Sequence, residues 1–218
     1  MKSYNTPQSE SKTNSFTDFF KDIFTNKKKL IILTSIILFI IIIIIVIVVV
    51  STKSDKKEYK NECGVPDEIF KITIKELEEH NKYRKEHHVD YLTINCELMD
   101  IAQNYSKYLH EKNIFKHSNA KFHGKYMGEN LFMISSSNKI EYEPPMATKM
   151  WYDEIVDYDF KTHKSKNGKA IGHFTQVIWK DTKEIGVGVT CSNRCYVVAN
   201  YYPAGNIIGE FGENVLSK

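Results

Sequence analysis

The pattern of apolar and polar positions divides the chain into a polar lead, one uninterrupted apolar segment and a long mixed region. The apolar segment, residues 30–50, contains no charge, no Gly and no Pro, and only Thr34 and Ser35 interrupt its Leu, Ile, Phe and Val residues. As a helix it would extend about 31 Å, which matches the hydrocarbon core of a bilayer. We therefore predict one transmembrane helix, between a disordered cytoplasmic lead (residues 1–29) and a charged linker (residues 51–63).

A cleaved signal peptide is the alternative for this segment. It fits less well because the polar lead is long, the apolar run exceeds about 15 residues, and Ser51-Thr52-Lys53 does not resemble a cleavage site. An uncleaved signal anchor is the interpretation that we carry forward.

The mixed region, residues 64–218, changes from helical to strand periodicity along its length. Two β-rich runs, residues 185–189 and 196–201, predict a hairpin in the second half. Because the helices come first and the strands later, we expect a layered α+β domain. Helical spacing predicts three helices in the first half: one beginning at a capping box in residues 73–76, one over residues 98–109, and one from Met146 to about Val156.

The cysteines indicate the orientation of the apolar helix. Lysines flank it on both sides, so the positive-inside rule gives almost no preference. All four cysteines, Cys63, Cys96, Cys191 and Cys195, follow the helix, and an even number on one side indicates an oxidising compartment there. We expect a cytoplasmic N-terminus and a C-terminal domain that is lumenal or extracellular.

The same cysteines predict two disulfides. Cys191 and Cys195 flank a three-residue loop in the predicted hairpin, so their Cα atoms should lie about 5.5 Å apart, within the range that a disulfide spans. Cys63 and Cys96 then form the second pair by elimination.

Charge and motifs limit the classes of function. Acidic and basic residues are equal in number after the apolar segment, so the domain is formally neutral and lacks the basic footprint of a nucleic-acid binder. The sequence contains no H-E-x-x-H, G-x-S-x-G, P-loop or G-x-G-x-x-G signature. What remains is a set of polar residues in apolar, Gly-containing segments, each of which alone is more typical of a structural residue. These segments are residues 116–118, 128–131, 151–155 and 172–179.

Together these segments resemble the CAP superfamily, which comprises cysteine-rich secretory proteins, antigen 5 and pathogenesis-related proteins. Residues 172–179 (GHFTQVIW) match its first signature and residues 197–206 (VVANYYPAGN) its second. The His80-Asn81-x-x-Arg84 step and Ala102-Gln103 resemble its N-terminal helices, so the resemblance covers about residues 70–216.

Within the superfamily, Ala199 and the tail at residues 211–216 most resemble the Golgi-associated plant pathogenesis-related proteins. The apolar helix and the Cys191/Cys195 pair depart from that branch, so its localisation is not carried over.

The resemblance implies a three-layer α-β-α sandwich with a central cleft lined by His117, Glu129, Glu154 and His173. Two imidazoles and two carboxylates suit a divalent cation, and nitrogen ligands favour Zn²⁺. A mutually paired ionic network that holds no ligand is the alternative.

Two functions follow from the resemblance. The first is a non-enzymatic binding module displayed from a membrane, of the host–parasite, defence or lipid-binding type, with a sterol, another lipid or a protein as partner. Residues 140–146 are a candidate flexible loop for a lipid, although a plain connector has the same pattern. The second is a metal-assisted hydrolase or peptidase with Glu129 or Glu154 as base. An assembly module is a third interpretation.

The topology can be tested in intact microsomes. The C-terminal domain should be fully protected from added protease, and Asn104, in the sequon Asn104-Tyr105-Ser106, should serve as a glycosylation reporter. Digestion of that domain without detergent would contradict the predicted orientation.

Overall fold

The computed structural model describes Lys21, residues 23–52 and residues 59–218, which divide into two compact units between residues 58 and 59. Most of the predicted disordered lead and residues 53–58 of the predicted linker lie outside the described residues.

The first unit contains one long apolar helix, α1, from Lys27 to Thr52. An 18-residue stretch within Lys27–Ile47 has a mean hydropathy of 3.7, and by length and composition the helix is able to cross a membrane. The helix contains the whole predicted segment, residues 30–50, and its described side chains are apolar on every face, which is unusual for a helix in water.

The second unit is built around a four-stranded sheet in the order β1-β7-β8-β4. β1 runs parallel to β7, and the other neighbours are antiparallel. These strands are β1 (Thr93–Ile94), β4 (Gly128–Ser135), β7 (Glu184–Cys191) and β8 (Arg194–Tyr202). Two small ribbons accompany the sheet: β2 (Lys121–Phe122) with β3 (Lys125–Tyr126), and β5 (Tyr158–Asp159) with β6 (Lys164–Ser165).

Helices cover both faces of this sheet. They are α2 (Asp67–Glu86), α3 (Cys96–Lys112), α4 (Met146–Tyr152), a 3-10 helix (Asp153–Asp157), α5 (Gly172–Val177) and α6 (Phe211–Asn214). Residues along β8 alternate between the two faces. Val197, Ala199 and Tyr201 belong to the core that α2, α4 and α5 cover, whereas Tyr196 and Val198 pack with α3. The arrangement is the predicted three-layer α-β-α sandwich.

Two glycines in β7 allow α3 to lie directly on the sheet. A Cβ atom at Gly186 would come within 2.2 Å of the backbone of Leu98 and Met99, and one at Gly188 within 2.2 Å of Gln103 N. Any side chain at these positions would therefore separate the helix from the strand.

The predicted capping box at residues 73–76 is wrong. α2 begins at Asp67, and Thr73 lies buried within it, where its hydroxyl donates to the carbonyl oxygens of Ile69 (3.0 Å) and Val187 (3.2 Å). The Thr-x-x-Glu pattern of a capping box therefore also occurs in the interior of a helix. Here the Thr73 hydroxyl bonds to carbonyl oxygens of α2 and β7 and does not cap a helix N-terminus. The third predicted helix is also shorter, since α4 ends at Tyr152 and continues as a 3-10 helix.

Both disulfides join residues of the second unit. Cys63 pairs with Cys96 at a Cα–Cα distance of 4.9 Å, and Cys191 pairs with Cys195 at 4.0 Å. The second distance is shorter than expected because the strand ladder continues to the end of the hairpin and places these two residues directly opposite each other.

Arg84 connects α2 to the chain that follows α5. Its side chain is fully buried, and its guanidinium donates to the carbonyl oxygens of Val177 (3.1 Å), Trp179 (2.8 Å) and Thr182 (2.9 Å). Its Nε donates to Asp90 O at 2.6 Å. Burial lowers the pKa of Arg84 to about 10, so the group remains charged at neutral pH. Four backbone carbonyls thus depend on one side chain.

Substitution of Arg84 by Met should lower the free energy of unfolding by at least about 3 kcal/mol, because buried carbonyl groups would lose their donors. Urea denaturation of residues 59–218 measures this change. Lys85→Met, at the neighbouring exposed position, is the control and should change stability little. A loss of less than about 1 kcal/mol for Arg84→Met would contradict the assigned role.

Candidate functional site

The first His/Glu pair joins the loop after α3 to strand β4. His117 Nδ1 lies 2.7 Å from Glu129 Oε1, and the backbone N–H of Ser118 donates to the same oxygen at 2.9 Å. The Glu129 side chain is 8% exposed and the His117 side chain 58%. The carboxylate is therefore held inside the fold while the imidazole reaches solvent.

The second pair joins the 3-10 helix to α5. His173 Nδ1 lies 2.7 Å from Glu154 Oε1. The other oxygen of Glu154 accepts the backbone N–H groups of His173 (3.0 Å) and Phe174 (3.2 Å), which lie in the first turn of α5. One carboxylate thus orients the imidazole and also satisfies backbone donors that the helix leaves unpaired.

Asn130 links the strand of the first pair to the helix of the second. It follows Glu129 in β4, and its side-chain amide donates to the carbonyl oxygen of His173 at 3.1 Å. The four predicted residues therefore form two separate His/Glu pairs, which Asn130 connects through β4 and α5. The His117/Glu129 pair also lines an open hollow of about 170 Å³, together with Tyr126 and Met127.

The two imidazoles present the same ring nitrogen to a ligand. Each Nδ1 faces a carboxylate, which leaves Nε2 as the ligating atom, and metal-binding histidines usually have such a carboxylate behind them. Glu129 Oε2 is buried and has no hydrogen-bond partner in the described part of the chain. Neutral imidazole nitrogens are donors of the kind that Zn²⁺ binds, and carboxylates behind them would orient the rings. As arranged, no three His, Cys, Asp or Glu side chains among the described residues form a group that could hold a metal ion.

A buried polar network lies behind the second pair, and sequence reasoning did not identify it as part of the site. Its centre is Glu76 on α2, whose carboxylate accepts the hydroxyl groups of Tyr142 and Thr148 and the Thr148 N–H (3.1 Å). Burial raises the pKa of Glu76, and the hydrogen bonds oppose that effect. Two polar residues, Glu76 and His80, spaced by four on the buried face of a helix were the available signal.

His80 continues this network towards the site. Its Nε2 lies 2.8 Å from the Tyr201 hydroxyl, and its Nδ1 lies 2.9 Å from Thr148 Oγ1. Asn130 donates to the Tyr201 hydroxyl at 3.2 Å, so hydrogen bonds extend from Glu76 to the carbonyl of His173. Burial lowers the pKa of His80 to about 4, and the ring is therefore neutral at ordinary pH.

A separate cavity of about 390 Å³ lies beside the predicted lipid loop, residues 140–146. Side chains from α2, from the loop and from β7 line it, and three of them are charged, Glu68, Lys139 and Glu141. The apolar lining includes Ile69, Ile72, Ile140 and Val189. The hydrogen bond from Tyr142 to Glu76 ties the loop to α2 at this cavity.

The predicted glycosylation site lies on the exposed side of α3. Asn104 is exposed, whereas Ser106 of the same sequon is buried, with its hydroxyl 2.8 Å from Thr190 Oγ1.

Comparison with known proteins identifies one family model and several similar proteins. The model of the cysteine-rich secretory protein family, CAP, matches residues 77–201. Human Golgi-associated plant pathogenesis-related protein 1 is 39% identical over 144 residues, which are 64% of this chain and 89% of the relative. Pathogenesis-related protein 1B of Nicotiana tabacum is 37% identical over 136 residues, 62% of this chain and 76% of the relative. The crystal structure of NaASP2 with Zn²⁺ is similar, with a TM-score of 0.53 and 28% identity, over 71% of this chain and 90% of that one.

Proposed function

The chain belongs to the CAP family of cysteine-rich secretory proteins, and from this premise we propose that it is a membrane-anchored, extracytoplasmic binding module. Its His/Glu site holds a divalent cation, with Zn²⁺ preferred. The observation that carries the proposal is the pair of imidazoles whose Nδ1 atoms are both engaged by carboxylates at 2.7 Å.

The membrane anchor is supported by α1, which is long and apolar enough to cross a bilayer. The compartment is supported by the two disulfides of the second unit, because disulfides persist in oxidising environments. Both features favour a C-terminal unit on the lumenal or extracellular side.

The metal is supported by the chemistry of the donors. Neutral imidazole nitrogen is a preferred ligand of Zn²⁺, and His117 and His173 supply two such atoms. The solved relative NaASP2 was crystallised with Zn²⁺. The carboxylates of Glu129 and Glu154 would fix the orientation of the rings and raise their basicity.

A binding role is favoured over hydrolysis by the surroundings of the two histidines. In the described part of the chain no hydroxyl or thiol makes a hydrogen bond to either imidazole, which disfavours catalysis through a side-chain nucleophile. Both candidate bases, Glu129 and Glu154, are already paired with the histidines and with backbone N–H groups. A metal-assisted hydrolase that uses the same residues remains the second candidate.

A lipid is the ligand class that the cavity beside residues 140–146 favours. Its volume of about 390 Å³ falls within the range of small-molecule sites, and its isoleucine and valine side chains suit an acyl chain or a sterol. Glu68 and Lys139 are available to a polar headgroup.

Zinc should raise the melting temperature of residues 59–218, because a ligand of the folded state alone stabilises it by mass action. At zinc concentrations about 100-fold above Kd the rise should be about 5 °C or more, and it should shrink at acid pH as protons compete for the imidazoles. Calorimetry and isothermal titration measure both effects.

The variant His117→Ala/His173→Ala should abolish the zinc-dependent rise. His163→Ala is the control, since His163 bonds to Tyr158 outside the His/Glu site, and it should retain the rise. A wild-type protein that neither binds zinc nor is stabilised by it would refute the metal site. Hydrolysis of a peptide library that is lost in Glu129→Ala would favour the hydrolase instead.

The cavity is tested with a fluorescent fatty acid or sterol. Ile140→Asp should weaken its binding at least about tenfold, because a charge would enter the apolar lining. Met150→Asp, at an exposed position of α4 that does not line the cavity, should bind as the wild type does. Equal affinity in the two variants would exclude this cavity as the lipid site.

A further inference from the structure

A polar hollow, the hairpin hollow, lies at the tip of the β7–β8 hairpin. Its volume is about 230 Å³, and it shares no lining residue with the cavity beside residues 140–146 or with the hollow at His117. The end of α3 and the hairpin form it, and among the described residues that line it there is no Asp or Glu. The lining side chains are all polar: His110, Asn113, Ser192, Asn193, Arg194 and Tyr196.

The hairpin tip is held in place by a disulfide and by hydrogen bonds to two other parts of the domain. Cys191 and Cys195 lie directly opposite each other in the ladder and are joined covalently. The carbonyl oxygen of Ser192 accepts the backbone N–H of Ile140 at 2.7 Å, and the Ser192 hydroxyl lies 2.7 Å from His110 Nε2 on α3. The tip therefore presents its side chains on a fixed backbone, which lowers the entropic cost of binding a ligand.

Hydrogen bonds within the hairpin hollow leave donors unused on its amides and its guanidinium. Asn113 Oδ1 accepts hydrogen bonds from the Arg194 guanidinium and from the Tyr196 hydroxyl, the second at 3.3 Å. Asn193 Oδ1 accepts one from the Ser192 hydroxyl at 3.1 Å. In the described part of the chain, the Nδ2 groups of both asparagines and the Nε and Nη2 groups of Arg194 make no hydrogen bond. All of these groups are N–H donors, so the hollow offers them to an acceptor.

Arginine is a rare residue in this chain, which contains only Arg84 and Arg194 beside its many lysines. Arg84 uses its planar guanidinium to bind several carbonyl oxygens at once. Arg194 is half-buried and makes no ion pair among the described residues. A guanidinium with free N–H groups binds the two oxygens of an oxyanion through parallel hydrogen bonds, which a lysine does not reproduce.

The charges around the hairpin hollow favour an anion. Residues 135–141, which contact the tip, contain only Lys139 and Glu141 as charged residues, and these two offset each other beside the other cavity. The negative end of the α3 dipole points towards the hollow, and His110 and Lys112 in the last turn oppose it. The charged residues that remain at the end of α3 and in the tip are Lys107, Lys112 and Arg194 against Glu111.

We propose that the hairpin hollow binds an acidic sugar through its carboxylate or sulfate group. The Arg194 guanidinium binds two oxygens of this group, and the side-chain amides of Asn113 and Asn193 donate to the ligand beside it. The hollow is larger than one oxyanion, so part of the sugar ring fits as well. An entirely polar lining suits the hydroxyl groups of a sugar and does not suit an acyl chain.

The source of such a ligand agrees with the proposed location of the domain. Extracellular and lumenal glycans carry carboxylated and sulfated sugars, and the domain is proposed to lie on that side of the membrane. The inference uses the proposed function for this location only. The site itself shares no residue with the zinc site or the lipid cavity and does not depend on either.

Nuclear magnetic resonance titration tests this site on residues 59–218, which form a compact unit with its own core and both disulfides. The probes are N-acetylneuraminic acid, which supplies a carboxylate, a sulfated N-acetylglucosamine, and neutral N-acetylglucosamine, all at one ionic strength. At least one acidic sugar should shift the Arg194 Nε–H signal and the Asn113 and Asn193 amide signals saturably. It should bind at least about tenfold tighter than the neutral sugar, because charge-assisted hydrogen bonds form only with the acid. Which acidic sugar binds tighter identifies the group that is recognised.

Matched variants separate recognition by Arg194 from the effect of net charge. Arg194→Gln should lower the affinity at least about tenfold, with the spectrum outside the hollow unchanged as evidence of folding. Lys112→Gln removes the same charge from an exposed position that does not line the hollow, and it should change the affinity less than about twofold in physiological salt. The proposal would be overturned if no acidic sugar gives saturable shifts, if the neutral sugar binds equally well, or if Lys112→Gln weakens binding as much as Arg194→Gln.

Discussion

The arrangement of the domain depends on the hydrogen bonds of the Arg84 guanidinium. This charged group is fully buried, and it is tolerated because the carbonyl oxygens of Val177, Trp179 and Thr182 accept hydrogen bonds from it. These carbonyls belong to the last residue of α5 and to the irregular chain between α5 and β7. These hydrogen bonds therefore fix the position of the end of α5, and of the start of β7, relative to α2. The helix α5 contains His173.

A second set of buried hydrogen bonds leads from α2 to the His/Glu site. Thr148 links the carboxylate of Glu76 to His80, and His80 bonds to Tyr201. Asn130 connects Tyr201 to the carbonyl oxygen of His173. Such a network rigidifies a core when every member is paired. Glu129 Oε2 lies outside this network and is one of several buried polar atoms without a partner among the described residues. It belongs to the carboxylate that faces the imidazole of His117.

The features open to ligands lie apart from one another on this scaffold. The His/Glu pairs lie where β4 meets α5, and the cavity lies where α2 meets the loop at residues 140–146. Both involve loops that the sheet and its two helical layers hold in position, which is where binding residues usually occur. One sandwich therefore positions two separate features on loops around a single core.

The sequence by itself determined the elements whose signal is local. The apolar helix and the β7–β8 hairpin follow from uninterrupted hydrophobicity and from alternation, and the choice of His117, Glu129, Glu154 and His173 rested on the family resemblance. Only the tertiary structure decided the rest. The capping-box pattern at Thr73 and Glu76 did not mark a helix start, because their partners Val187, Tyr142 and Thr148 lie far along the chain. The pairing of each histidine with one carboxylate was decided in the same way, because hydrogen bonding depends on contacts between elements that no local pattern encodes.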